Sequence, residues 1–140
     1  MDEERIREIQ EAIGAAENAL VSLYSARDYL NSASTWGWFD VLGGGFITTF
    51  VKRSKLRSAM ECIEQARHAV AVFRRELADV DNAMPLAINE GDFWEFADYF
   101  FDGFFVDFMV QEQILHARTQ VQDAISRITE LREQLVNLLV

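Results

Sequence analysis

The fold is decided most clearly by residues 110–138, which read VQEQILHARTQVQDAISRITELREQLVNL. Apolar side chains recur here at alternating steps of three and four residues, the spacing that keeps them on one face of a helix. These side chains are Val110, Ile114, Ala117, Val121, Ala124, Ile128, Leu131, Leu135 and Leu138. The pattern predicts a long helix, over about residues 104–140, that buries this face.

Two earlier stretches, about residues 3–34 and 46–80, show the same spacing and predict two more long helices. The first apolar seam is Ile6, Ile9, Ile13, Ala16, Leu20, Leu23 and Leu30. The second is Phe50, Ala59, Ile63, Ala66, Val70, Phe73, Leu77 and Val80. Asp2 is suited to cap the first helix, because its carboxylate can accept a hydrogen bond from the first-turn backbone.

The segments between the long helices contain residues that break helices. Residues 35–45, TWGWFDVLGGG, predict a loop in which Gly37 ends the first helix in a left-handed conformation. Residues 81–91 contain the only proline and predict a second break. Asp92 and Glu95 resemble a capping box and predict a short helix over about 92–102, with a break near Gly103.

These elements predict one all-α domain of 140 residues, an elongated antiparallel bundle of three long helices and one short helix. The single cysteine, Cys62, excludes an internal disulfide and a cysteine-based zinc site, and a half-buried apolar role is expected for it. No window holds eighteen apolar residues, and the acidic N-terminus is unlike a signal peptide. The cytoplasm is therefore the expected compartment.

The net charge of −10 is concentrated in one part of the chain. From Glu76 to Ala117 there are ten carboxylates and no Lys or Arg, whereas the remainder holds thirteen acids and thirteen bases. A binder of nucleic acid needs clustered basic side chains, so nucleic acid is a poor partner for this protein.

The aromatic residues are concentrated as well, since fourteen of the seventeen lie in residues 36–50 and 92–108. Residues 92–108 carry acids without a base, and residues 36–57 end in basic side chains without an acid. We therefore predict that the two segments pack together at one end of the bundle, with Trp38 and Phe104 in one cluster. A closed aromatic core is the simpler interpretation, and an open cluster that binds an apolar ligand, a lipid surface or another chain is the alternative.

Several patterns invite a catalytic or ligand site, and each has a simpler explanation. The three glycines at 43–45 precede a helix with Lys52 and Arg53, an arrangement that could bind phosphate, but the sequence here lacks a phosphate-loop pattern. The pairs Glu64/His68 and Glu112/His116 have helical spacing for a metal, but they are expected on an exposed face. The acids at 95, 98 and 102 share a helix face without a nucleophile or histidine nearby. The apolar run at 99–110 is too short to span a membrane, which leaves peripheral membrane contact as a weaker alternative.

Two motifs carry a resemblance to known proteins. Residues 36–45, WGWFDVLGGG, are followed by Lys52-Arg53-Ser54-Lys55, and residues 100–108 read FFDGFFVDF. Together they resemble a family of uncharacterised bacterial helical proteins, over roughly the middle half of the chain. The resemblance implies a bacterial cytosolic helical protein, and it implies no mechanism.

The expected function is a non-enzymatic structural or protein-interaction module that self-associates and needs no cofactor or metal. The helical seams suit an internal core or a coiled-coil partner helix equally well. The alternatives are a binding protein for an apolar or amphipathic molecule or lipid and, as the weakest, a carboxylate-based metal enzyme. The candidate binding residues are Trp36, Trp38, Phe39, Lys52, Arg53, Trp94, Asp98, Asp102, Phe104 and Asp107.

Overall fold

The computed structural model describes residues 2–43, 46–83, 95 and 111–140, with side chains for 2–31, 58, 61–80, 95 and 117–140. These residues form three long α-helices and, within the described ranges, no β-strand. The helices are α1 (Glu3–Gly43), α2 (Phe46–Ala83) and α3 (Gln111–Leu138). The predicted all-α fold is therefore confirmed.

Helix α1 is the element that joins the other two, because both α2 and α3 contact it. Carboxylate oxygens of Glu8, in the second turn of α1, lie within 4.8 Å of those of Glu76 and Asp79, near the end of α2. The start of α1 thus lies beside the end of α2, and the two helices are antiparallel. An ion pair of 2.8 Å between Arg132 and Glu17 joins α3 to α1.

The core is one continuous cluster to which all three helices contribute. Among the described side chains, the predicted seams are confirmed except at Ile6, which is only half-buried, and Phe73 is the largest fully buried side chain. In α1 the buried surface is wider than the predicted seam, because Ala12, Ala15, Ala19 and Ala26 are buried as well. Small side chains allow a close helix–helix approach, so α1 accommodates a neighbour on each side.

The prediction that α1 ends near residue 34 and is followed by a loop is wrong, because the helix continues to Gly43. No glycine in the described part of the chain has a positive φ, so Gly37 does not end α1 in a left-handed conformation. A glycine inside a helix costs only about 1 kcal/mol. Helical hydrogen bonding continued alongside an antiparallel neighbour, which begins at Phe46, offsets that cost.

The other boundaries follow the predictions more closely. Helix α2 continues three residues beyond the predicted end at 80, so the expected break at 81–91 begins no earlier than residue 84. The α3 helix is confirmed over 111–138. Glu95 is helical and exposed, while the rest of the predicted helix at 92–102, the break at Gly103 and residues 104–110 lie outside the described residues.

The start of α1 has the predicted cap. The backbone N–H of Arg5 donates to Oδ1 of Asp2 at 2.9 Å, which satisfies one of the amides that a helix start leaves without a partner. Within the described ranges, the search for a helix both long enough and apolar enough to cross a membrane finds none.

Candidate functional site

The ten candidate binding residues from the sequence fall into two groups. Trp36, Trp38 and Phe39 lie on the last part of α1, and Lys52 and Arg53 lie near the start of α2. Because α1 and α2 are antiparallel, these five positions share one end of the bundle, although their side chains are outside the described set. The other five lie outside the described residues: Trp94, Asp98, Asp102, Phe104 and Asp107. The pairing of the two aromatic segments therefore stays a prediction.

The first Glu-x-x-x-His pair is part of a solvated surface, as expected. Glu64 and His68 are both exposed on α2. A carboxylate oxygen of Glu64 accepts a hydrogen bond from Nη1 of Arg67 at 2.9 Å, so this carboxylate is already engaged within its own helix. The side chains of Glu112 and His116 are outside the described set.

A cluster of carboxylates that the sequence did not reveal lies where α1 begins and α2 ends. It consists of Glu8, Glu76 and Asp79, with Glu11 close enough to affect Glu76. Oε2 of Glu76 is buried and, among the described residues, has no hydrogen-bond partner. Oxygen atoms in such a group are the ligands that hard divalent cations prefer.

The ionised form of Glu76 is disfavoured in this cluster. Partial burial raises its pKa, and the carboxylates of Glu11, Asp79 and Glu8 raise it further, whereas Arg75 acts in the opposite direction. The cluster therefore holds repulsion that protonation or a cation would relieve.

A different kind of surface lies on the side of α1 that faces away from the core. We call it the α1 outer face and define it as Gly14, Asn18, Val21, Tyr24, Ser25 and Tyr29. Val21 is 66% exposed, and Tyr24 and Tyr29 are 39% and 38% exposed. Ala19 and Leu23 are fully buried, and each is two residues from Val21, about 200° around the helix, so this face and the core are on opposite sides of α1.

The α1 outer face has almost no net charge. Between Ala12 and Ala26 the only charged side chain is Glu17, which pairs with Arg132 of α3. The next two residues, Arg27 and Asp28, pair with each other at 3.4 Å. The guanidinium carbon of Arg27 also lies 5.0 Å from the centre of the Tyr24 ring, a cation–π contact. In a chain of net charge −10, this is a neutral patch.

Gly14 adds an open position to this face. A Cβ atom built on Gly14 would meet no heavy atom within 4 Å beyond the local backbone of its own helix. Close contact within the chain therefore does not explain the absence of a side chain, although a glycine inside a helix costs about 1 kcal/mol relative to alanine. The result is a shallow notch two helical turns before Val21.

Gln120 is a polar side chain inside the core. It is buried on α3, and both its amide nitrogen and its amide oxygen lack hydrogen-bond partners among the described residues. An unsatisfied buried amide costs stability. Gln120 lies next to Val121 of the predicted seam, and the seam pattern alone does not mark it as buried.

Comparison with models of protein families, with curated proteins and with solved structures finds no match to this chain.

Proposed function

We propose that this chain is a non-enzymatic helical interaction module of the bacterial cytoplasm, which self-associates and contacts protein helices through the α1 outer face. The observation that carries the proposal is the exposure of Val21, together with Tyr24 and Tyr29, on a neutral helix face. The resemblance of its two aromatic motifs to bacterial helical proteins supports the compartment.

The composition of this face is typical of protein interfaces. Tyrosine is enriched in interfaces, charged residues are depleted from their centres, and a ring can contribute apolar area together with a hydroxyl. A valine exposed to two-thirds of its surface gains from burial, at about 25 cal/mol for each Å² of apolar area covered. A partner helix laid along α1 would supply that burial.

The electrostatics also favour protein over other ligands. The face has no cluster of basic side chains for phosphate or for an acidic membrane, because its nearest arginine, Arg27, is paired with Asp28. A neutral surface on an acidic chain is a place where another acidic protein can approach without repulsion. That property suits a second copy of this chain and other acidic helical proteins.

A second candidate function is the binding of an apolar molecule or lipid. It is favoured by the concentration of fourteen aromatic residues in residues 36–50 and 92–108. Native mass spectrometry of the purified protein tests it directly. A co-purified mass that disappears on denaturation would support this candidate, and a spectrum of the bare chain alone would count against it.

The test of the interaction module combines sedimentation with a pull-down on three proteins: the wild type, Val21→Asp and the matched control Gln122→Asp. Gln122 is exposed on α3, so its substitution adds the same charge to a different surface. We expect Val21→Asp to lose self-association and every captured partner that Gln122→Asp retains. A wild-type chain that stays monomeric and captures no partner in a Val21-dependent way would refute the proposal.

A further inference from the structure

We draw no further inference here: the strongest candidate, the carboxylate cluster of Glu8, Glu76 and Asp79 between the start of α1 and the end of α2, carries none because Glu76 is only half-buried and, in the part of the chain that the structure describes, no second observation at the cluster points to a ligand.

Discussion

Replacing Gly14 by alanine should stabilise the monomer, although Gly14 lies within a helix that contacts both neighbours. The added methyl group meets no heavy atom within 4 Å outside the local backbone of its own helix, so no steric cost opposes the change. Alanine is favoured over glycine in a helix interior by about 0.8–1.0 kcal/mol, largely because glycine loses more backbone freedom on folding. We therefore expect the free energy of unfolding to rise by about 0.8 kcal/mol and Tm to rise by roughly 2–4 °C.

Urea denaturation followed by circular dichroism measures this effect, at a protein concentration low enough to keep the chain monomeric. The matched control is Ser25→Ala, on the same exposed face of the same helix. Serine lies between glycine and alanine in helix propensity, so its replacement should give about half the gain. A gain at Gly14 no larger than that at Ser25 would show that helix propensity does not govern this face.

A loss of stability in monomeric Gly14→Ala would refute the reasoning outright, because it would mean that the position is not open.

Three further experiments test the interior and the surface of the bundle. Glu76→Gln should stabilise the fold at pH 7, because the raised pKa of Glu76 means that its ionised form destabilises the folded state. The gain should vanish well below pH 4.5, where the carboxyl is protonated in both the folded and the unfolded state. It should grow as the pH rises through the raised pKa. Gln120→Leu should raise the free energy of unfolding by about 1–2 kcal/mol in urea denaturation, because it removes an unsatisfied buried amide. A double-mutant cycle on Glu17 and Arg132 should give a coupling below about 1 kcal/mol that falls with added salt, since both side chains are more than one-third exposed.

Each of these expectations has a contrary result. The exposed Glu133 on α3 is the control for Glu76, and Glu133→Gln should not reproduce the pH-dependent gain. A gain for Glu76→Gln that is equal at every pH would show that charge is not its cause. Destabilisation by Gln120→Leu would show that the amide has a partner in solution. A coupling between Glu17 and Arg132 that is insensitive to salt would contradict the weak surface pairing.

The sequence predicts the core of the bundle well for a physical reason. A long helix must keep burying the same face, so a spacing of three and four residues is repeated over many turns, and each repeat confirms the others. Ile63, Val70 and Leu77 on α2 are buried as this spacing predicts. The prediction is less complete for α1, because a helix with two neighbours buries two stripes. Its second stripe is made of alanines, which a search for large apolar residues passes over.

The missed features depend on contacts that local sequence does not contain. The helix over 35–43 was predicted as a loop because glycine was weighed by its intrinsic preference, without the support of a neighbouring helix. The acidic cluster unites Glu8 with Glu76 and Asp79, residues far apart in sequence that the antiparallel hairpin brings together. The α1 outer face did leave a signal in the sequence: the long stretch from Ala12 to Ala26 with only one charged residue.

That scarcity of charge distinguishes the middle of α1 from the outward surfaces of α2 and α3. Solubility alone would be served by charged residues at outward positions, and α2 has them at Glu61, Glu64 and Asp79, all exposed. Outward positions of α3 likewise include Asp123, Glu130 and Glu133. The middle of α1, from Gly14 to Tyr29, exposes a valine and two tyrosines, with Glu17 and Asp28 as its exposed acids. The proposed coverage of this face by a partner would account for the difference in surface composition between α1 and the other two helices.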